Sequence, residues 1–311
     1  MTVAVGVDVG GTKILSGLVD EHGTVTRTDR RPTPADGDEL VAAIVDAVTI
    51  LCAEGDCSQI PIGCGFPALV TKNGVAKYGP NIGLADYPLR DQLVRRLDNP
   101  RVVIDNDANA ATWAEFVAGA GRVVPDTMVM FTLGTGVGGG LIIDGSLHRG
   151  SHGFAGELGH IVLEVGGESG HSGVDGELEA YSSGSAMDRM ARQAHRAGRF
   201  AGTTLDGPDA PDGERVTAAA RQGEQPAVDI LTAMGRYLGI GAAVFVNALD
   251  PELIVVGGGV AAAGELILEP ARRALRRHVL GPDYRPEVPV VVAEFGSDAG
   301  MVGAGLLALR S

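Results

Sequence analysis

Apolar positions along the chain follow two spacings, and each spacing predicts one kind of element. Short runs rich in β-branched residues predict strands at Val3–Val9, Ile60–Pro67, Arg101–Asp105, Val129–Leu133, Glu252–Gly258 and Val288–Phe295. Longer amphipathic stretches predict helices at Glu39–Glu54, Asn109–Ala118, Ser185–Ala197, Gln225–Leu249, Gly264–His278 and Asp298–Arg310, and one that starts near Leu89. Strands and helices alternate in two halves, which predicts an α/β protein with two lobes and a cleft.

An internal repeat supports the two-lobe prediction. Val3–Asp20 and Val129–Gly145 each read as strand, glycine-rich turn and strand, and each is followed by a tight-turn signal, Asp20 with Gly23 or Asp144-Gly145. Such duplication implies two similar lobes. The segments Gly166–Gly176 and Gly202–Gly213 read as loops.

Composition and charge narrow the function classes. The 311 residues are enough for two cores, and the net charge of −14 gives no basic footprint for nucleic acid. No basic leader precedes the first strand and no run of 18 uncharged apolar residues is present, so neither a signal peptide nor a membrane span is predicted. Three cysteines without C-x-x-C spacing predict no disulfide framework and favour the cytoplasm.

Three glycine-rich turns at strand ends are candidates for binding phosphate. They lie at Gly10–Lys13, Gly134–Gly140 and Gly257–Gly259, where backbone amides can approach an anion closely. Asp8 beside the first turn is placed to serve Mg²⁺, directly or through water. For the first turn taken alone, an ordinary hairpin turn is the alternative. Neither a P-loop nor a dinucleotide-binding fingerprint is present in the sequence.

Two further segments carry polar side chains suited to a hydroxyl substrate. Asn106 and Asp107 stand where an apolar strand runs into a helix, so Asp107 could accept a proton from a hydroxyl that attacks phosphorus. Capping of that helix by Asn106 or Asp107 is the alternative. Glu157 and His160 lie three apart between glycines and could bind sugar hydroxyls, or they could be a loop Glu and a satisfied His.

As an ordered set, these motifs resemble the ROK family of bacterial sugar kinases and repressors, most closely its glucokinases. The matching segments are DVGGTK, GFP-x-x-V, PNIGL, DNDANAA, LGTGVGGG, GELGH and E-x-Y-x-SG, and they span nearly the whole chain. The resemblance implies an actin-like, ribonuclease-H-like duplicated fold. It places residues 1–118 and a returning helix at 298–311 in the N-terminal lobe, and residues 119–297 in the C-terminal lobe.

The resemblance also implies roles for individual residues. Asp107 matches the catalytic base. The residues that match sugar contacts are Gly65, Asn81, Asn106, Asp107, Glu157, His160 and Glu179. The residues that match nucleotide contacts are Gly10, Gly11, Thr12, Lys13, Thr135, Gly136, Gly257 and Gly258. The implied activity is transfer of a phosphoryl group from ATP, with Mg²⁺, to the 6-hydroxyl of a hexose, with glucose preferred. The implied assembly is a homodimer or higher homo-oligomer, without nucleic-acid or membrane partners.

Two departures from the family pattern affect the sugar site. Many members bind zinc through a C-x-C-x-x-x-x-C loop completed by the motif histidine, but here the cysteine positions fall on Gly170, Ser172 and Glu177. We therefore predict no structural zinc, although His171, Asp175 and Glu177 could offer nitrogen and oxygen ligands. Ala68 replaces a glycine that is usual in the family.

Three classes of alternative remain open from the sequence. The chain could phosphorylate mannose, fructose, allose, N-acetylmannosamine or N-acetylglucosamine, or could use polyphosphate as donor. It could be a sugar-sensing protein without catalysis, although Asp107 would then be unexplained. It could also be a structural protein or ATPase of the same superfold, which leaves the segments around Asn106-Asp107 and Glu157–His160 unexplained.

Overall fold

A computed structural model describes residues 2–52 and 58–310. The strands in chain order are β1 (Val3–Val9), β2 (Lys13–Asp20), β3 (Val25–Pro32), β4 (Ile62–Phe66), β5 (Leu69–Val70), β6 (Ala76–Gly79), β7 (Leu84–Tyr87), β8 (Val102–Asn106), β9 (Met128–Leu133), β10 (Val137–Ile143), β11 (Ser146–Leu147), β12 (Leu253–Gly257) and β13 (Val290–Val292). The helices in chain order are α1 (Gly37–Leu51), α2 (Leu89–Leu97), α3 (Asp107–Ala118), α4 (Glu179–Ser182), α5 (Gly184–Arg196), α6 (Gly213–Arg221), α7 (Gln225–Leu249), α8 (Glu265–His278) and α9 (Ala299–Leu309).

Two five-stranded sheets share one topology. Their strand orders are β3-β2-β1-β4-β8 and β11-β10-β9-β12-β13, so each begins with antiparallel strands at one edge and continues with parallel strands. The repeat predicted from the two strand–turn–strand segments therefore corresponds to two copies of one sheet, and the duplicated α/β fold is confirmed. A small sheet of order β5-β6-β7 was not predicted.

The chain divides into two compact units. The first comprises Met1–Asp126, Gly140–Gly156 and Glu294–Ser311, and the second comprises Thr127–Gly139 and Glu157–Ala293. The lobe boundaries inferred from the family resemblance stay a prediction. The described part of the predicted helix Glu39–Glu54 is α1, and the last two residues of that prediction lie outside the described residues, as does Cys57. Cys52 and Cys64 are both buried.

In the first unit, α9 packs unusually close to its neighbours because glycines face it. A β-carbon on Gly6 of β1 would lie 2.0 Å from the carbonyl oxygen of Met301, and one on Gly63 of β4 would lie 1.8 Å from that of Ala304. Gly303 of α9 stands in the same relation to Ala110 of α3. The predicted C-terminal helix is thereby fixed against the sheet and against α3, which carries candidate site residues.

In the second unit, α7 is the central helix. It is long and apolar enough to cross a membrane by length and composition, but half of its apolar stretch is buried inside the protein. Gly235 and Gly239 bring α7 against α8, since a β-carbon on either would lie 2.1–2.2 Å from a carbonyl oxygen of α8, at Ile267 or Ala271. The packing is that of a core helix.

Candidate functional site

The carboxyl ends of three parallel strands gather polar residues at one edge of the first sheet. In the strand register, Asp8 of β1 pairs with Gly65 of β4, and Gly65 pairs with Asp105 of β8. Because parallel strands end at the same edge, this edge is where an α/β sheet commonly binds ligands. Gly65 allows a close approach here, since a β-carbon on it would lie 3.2 Å from the Cα of Asp107.

The start of α3 separates the capping residue from the candidate base. Asn106 is the N-cap, with extended backbone, and its side chain accepts a hydrogen bond from the Asn109 amide at 3.0 Å. Asp107 is the first residue of the helix, and its Oδ1 accepts from the Ala108 amide at 2.8 Å. Of the two residues that could cap the helix, Asn106 is the cap. The Asp107 carboxylate is therefore not needed for capping.

Asp8 and Asp107 are close enough to influence one another electrostatically. Burial raises the pKa of Asp8 to about 7, the Asp107 carboxylate adds to the rise, and Lys13 opposes it. Burial likewise raises the pKa of Asp107, against hydrogen bonds from backbone amides that lower it. Lys13 is therefore a cation that partly offsets the rise at Asp8, and a strongly perturbed pair of carboxylates of this kind is typical of functional sites.

The first glycine turn borders these carboxylates. The Gly10 amide donates to the Lys13 carbonyl at 2.8 Å, and the Thr33 hydroxyl donates to the Gly10 carbonyl at 2.6 Å, so the turn is held from two sides. Gly11 and Thr12 at its tip are exposed. Asn81, also exposed, lies beside this tip, since its carbonyl oxygen would be 3.8 Å from a β-carbon on Gly11.

Two features of this edge were missed from the sequence. A β-carbon at Gly300, near the start of α9, would lie 2.6 Å from the Cγ of Asp8, so only glycine leaves room for that carboxylate. Behind Asn106, the buried Asp105 accepts from the Arg149 Nε at 2.6 Å and from the Asn109 Nδ2 at 3.0 Å. The signal for Asp105 was its place in the Asp-Asn-Asp run, whereas nothing in the sequence distinguishes Gly300 from its neighbours.

The magnesium ion that the family resemblance implies fits this donor set. Mg²⁺ is usually held by one or two carboxylates together with substrate phosphates. Asp8 and Asp107 are carboxylates crowded enough to raise the pKa of Asp8, and a divalent cation would relieve that repulsion. Asp8, next to the glycine turn, is the residue placed to hold the ion.

In the second unit, the glycine turn between β9 and β10 is tied to the segment of Glu179. The Val137 amide donates to Glu179 Oε2 at 2.9 Å. A β-carbon on Gly136 would lie 2.2 Å from the same oxygen, so Gly136 is needed for this contact. The Gly184 amide donates to the Gly134 carbonyl at 2.8 Å, and the Ser185 amide donates to the Thr135 carbonyl at 3.2 Å. A residue predicted to bind sugar thus also holds a turn predicted to bind nucleotide.

The third glycine turn lies beside the second one. Gly257 ends β12, which pairs in parallel with β9 and places Gly257 opposite Thr132. Gly258 has φ of +84°, and a β-carbon on it would lie 2.4 Å from the carbonyl oxygen of Leu133. Both conditions require glycine at position 258. The predicted nucleotide residues of the second unit therefore gather at the carboxyl ends of β9 and β12.

Glu157 precedes a short 3₁₀ turn that ends at His160, and His160 lies close to a second acid, Glu177. His160 Nε2 lies 3.8 Å from Glu157 Oε2, and His160 Nδ1 lies 2.8 Å from Glu177 Oε2. Burial lowers the pKa of His160. The hydrogen bond and charge of Glu177, together with the charges of Glu179 and Glu157, raise this pKa by more than burial lowers it, so the net shift is upward. Glu177 is completely buried.

The residues of this loop do not fit the zinc ion that many family members bind. Glycine and serine occupy two of the three positions where those members have cysteine, and Glu177 occupies the third. Asp175 is hydrogen-bonded to Ser169. Within residues 2–52 and 58–310, no group of three or more His, Cys, Asp or Glu side chains could hold a metal ion. The second departure, Ala68, is buried, and its carbonyl oxygen lies 3.4 Å from Asn106 Nδ2.

The predicted site residues thus form two sets. Asp8, Gly10–Lys13, Gly65, Asn81, Asn106 and Asp107 belong to the first unit, and Thr135, Gly136, Glu157, His160, Glu179, Gly257 and Gly258 belong to the second. Two copies of one sheet, each with a glycine turn after its first strand, place the chain in the class of duplicated α/β proteins.

Comparison with known proteins gives the family. The profile of the ROK family matches residues 4–311, and the chain belongs to that family. The glucokinase of Streptomyces coelicolor is 38% identical over 99% of this chain and 98% of its own length. The glucokinase of Halalkalibacterium halodurans is 36% identical over 97% of this chain and 94% of its own length. The crystal structure of a ROK family glucokinase from Streptomyces griseus in complex with glucose and AMPPNP has a TM-score of 0.88 and 40% identity, and the match covers 99% of this chain and 100% of that one.

Proposed function

We propose that this protein is an ATP-dependent glucose kinase that transfers the γ-phosphoryl group to the 6-hydroxyl, with Asp107 as general base. The observation that carries the proposal is the start of α3. Asn106 caps the helix and leaves the Asp107 carboxylate at the sheet edge, near Asp8 and Lys13. The glucokinase relatives support glucose as the substrate.

The raised pKa of Asp107 suits this role, because a more basic carboxylate accepts a hydroxyl proton more readily. In the reaction, Asp107 takes the proton of the sugar hydroxyl as the oxygen bonds to phosphorus and the bond to the ADP leaving group breaks. Positioning and charge stabilisation supply most of the rate in phosphoryl transfer. Bound Mg²⁺ neutralises phosphate charge in such reactions, and Asp8 is the residue proposed to hold it.

Binding roles follow the two sets of residues. We propose sugar contacts from Gly65, Asn81, Asn106, Asp107, Glu157, His160 and Glu179. Nucleotide contacts come from Gly10, Gly11, Thr12 and Lys13 in the first unit, and from Thr135, Gly136, Gly257 and Gly258 in the second. The geometry around Gly136 supports the grouping, because Glu179 and the glycine turn share a hydrogen bond. A cytoplasmic homo-oligomer is the proposed form.

A coupled ADP-release assay tests the proposal. Purified protein is incubated with Mg-ATP or polyphosphate and with a panel of glucose, mannose, fructose, allose, N-acetylmannosamine and N-acetylglucosamine. We expect the highest kcat/KM for glucose with ATP, and glucose 6-phosphate as product. A higher kcat/KM for another sugar would show that this sugar, and not glucose, is the preferred substrate. Saturable sugar binding without ADP release would show a sensor and refute the kinase.

A further inference from the structure

The loop that follows His160 contains a hydrogen-bonded cluster in the place where many relatives have a metal site. We propose that Glu177 is a positioning residue that fixes the His160 imidazole through Nδ1, and that Ser172 fixes Glu177 in turn, so that this cluster performs the orienting task of a zinc ion. The inference rests on the proposed function, because it assigns His160 to the sugar.

The contacts form a chain of donors and acceptors. The Val174 amide donates to Ser172 Oγ at 3.1 Å, and the Ser172 hydroxyl lies 2.8 Å and 2.7 Å from the two carboxylate oxygens of Glu177. Glu177 Oε2 in turn lies 2.8 Å from His160 Nδ1. Because the Glu177 oxygen is the acceptor of this bond, Nδ1 is the donor, and Nε2, on the side of Glu157, is left for another partner.

Burial makes this arrangement specific. The Glu177 side chain has no exposed surface, whereas 39% of the His160 side chain is exposed. A buried carboxylate needs its hydrogen bonds, since an unsatisfied one costs more free energy than the bonds themselves contribute. The carboxylate is therefore held in one place, and the exposed ring takes its orientation from it. A β-carbon on Gly170 would lie 1.7 Å from Glu177 Oε1, so the loop has space for the carboxylate only because residue 170 is glycine.

The rest of the loop is held by a separate set of contacts. Glu164 Oε2 accepts from the hydroxyls of Tyr181 and Tyr237 at 3.0 and 3.1 Å, and the two rings stack with centroids 4.0 Å apart. The Tyr181 hydroxyl also accepts from the Glu168 amide at 2.8 Å. Glu164 thus anchors the same loop through Tyr181 and Tyr237 rather than through the His160 ring, and it provides a matched control for Glu177.

The cluster differs from a metal site in what it requires. Gly170, Ser172 and Glu177 have the spacing of the three family cysteines but together offer one carboxylate and one hydroxyl. A zinc site needs four ligands, usually thiolates and imidazoles. Here a single carboxylate meets the histidine in the manner of the carboxylates that orient metal-bound imidazoles, with no metal required.

Kinetics of matched variants test the proposal. Groups that orient an imidazole from behind typically change function by about 10–100-fold when they are removed. We expect Glu177→Ala to raise the KM for glucose by about that factor with a smaller change in kcat, and we expect the conservative Glu177→Gln to recover part of the loss. We expect Glu164→Gln to change KM by less than about threefold. His160→Ala shows how much the KM for glucose rises when the imidazole ring is lost altogether.

A spectroscopic measurement separates orientation from general loss of structure. At a pH above the pKa of His160, where the ring is neutral, NMR spectra of the imidazole nitrogens should show the Nδ1-protonated tautomer in the wild type and a tautomer mixture in Glu177→Ala. Thermal unfolding identifies variants that do not fold. If Glu177→Ala does not fold, the KM and tautomer of Glu177→Gln are compared with those of the wild type. If Glu177→Ala and Glu177→Gln keep the wild-type KM and tautomer while His160→Ala raises KM, the positioning role is overturned although the kinase stands. If no variant or wild type releases ADP, the proposed function has failed instead.

A metal graft provides a gain-of-function test. The triple variant Gly170→Cys, Ser172→Cys, Glu177→Cys supplies three thiolates beside His160. We expect it to bind Zn²⁺ and to have a raised glucose KM that falls on zinc addition and rises again with a zinc-selective chelator. The same chelator should leave the wild-type KM unchanged. Loss of wild-type activity on chelation would overturn the inference.

Discussion

Replacing Asp8 by Asn should stabilise the protein in the absence of nucleotide while it removes activity. In the folded protein, burial and the nearby charge of Asp107 raise the pKa of Asp8 to about 7, from 3.8 for an unperturbed aspartate. The folded state therefore holds an ionised Asp8 at a cost that the unfolded chain does not have. Asn has nearly the same shape and no charge, so it removes this cost.

The sign and size of the effect follow from linkage. Between pH 3.8 and about 7 the folded protein binds a proton at Asp8 that the unfolded chain has released, so the contribution of Asp8 to stability falls as pH rises through this window. Each pKa unit corresponds to about 1.4 kcal/mol. A rise of about three units therefore sets an upper bound of about 4 kcal/mol on the gain of Asp8→Asn above pH 7, and a gain near zero at pH 4.

Thermal unfolding from pH 4 to pH 8, in EDTA and without nucleotide, measures this difference. At about 2 °C per kcal/mol for a chain of this size, the apparent Tm of Asp8→Asn should exceed that of the wild type by about 4–8 °C at pH 8 and converge with it at pH 4. Asp209→Asn, which changes an exposed loop carboxylate, should give no difference at either pH. An Asp8→Asn Tm equal to or below that of the wild type at pH 8, or a pH-independent difference, would refute the reasoning.

Three other substitutions test the same unit. Asp107→Asn should lower kcat by at least about 100-fold, the usual contribution of a general base, while nucleotide affinity measured by calorimetry is unchanged. Full turnover in this variant would show that Asp107 is not the general base. Gly300→Ala should lower activity, because its β-carbon would lie 2.6 Å from Asp8 Cγ, whereas Gly207→Ala, with open space around it, should match the wild type in the ADP-release assay. Arg149→Ala should lower the free energy of unfolding in urea by about 3 kcal/mol, because it leaves the Asp105 carboxylate buried without its ion pair; a loss below about 1 kcal/mol would show that the amide donors of Asp105 suffice.

Elements with strong local signals were predicted closely from the sequence. The bounds of α7 were predicted as Gln225–Leu249, and the structure shows the same bounds. The reasons are local: proline stands in the first turn, and Asp250 ends the helix in a left-handed conformation. α3 begins two residues earlier than predicted, at Asp107, because Asn106 supplies the cap.

Several of the elements that were missed have weak local signals. β5, β6 and β7 are two to four residues long, too short for an alternating pattern, and their pairing with one another is what makes them strands. α6 begins at Gly213, the residue at which the sequence predicts a loop to end. The missed cue is Asp212, whose side chain accepts from the Arg215 amide and starts the helix.

The site shows the same division between local and long-range information. Motif order in the sequence identified Asp8, Lys13 and Asp107, and the structure brings these three together electrostatically. No pattern along the chain could show that Gly300 leaves room for Asp8, because the two residues are almost 300 positions apart. Their contact arises because α9 packs against β1, where Gly6 allows the backbone of Met301 to approach closely.

Glu177 illustrates why position alone did not reveal a role. The sequence shows only that Glu177 stands where many family members have a cysteine, which indicates a missing zinc ligand and no other role. The side chain's function depends on a hydrogen bond to His160, 17 residues earlier, and on the space left by Gly170. A carboxylate can replace a metal ligand's orienting effect only if the loop buries it and satisfies its second oxygen, which Ser172 does here. The glycine, serine and glutamate at the positions of the family cysteines therefore act together, because each is needed for the buried carboxylate to reach His160.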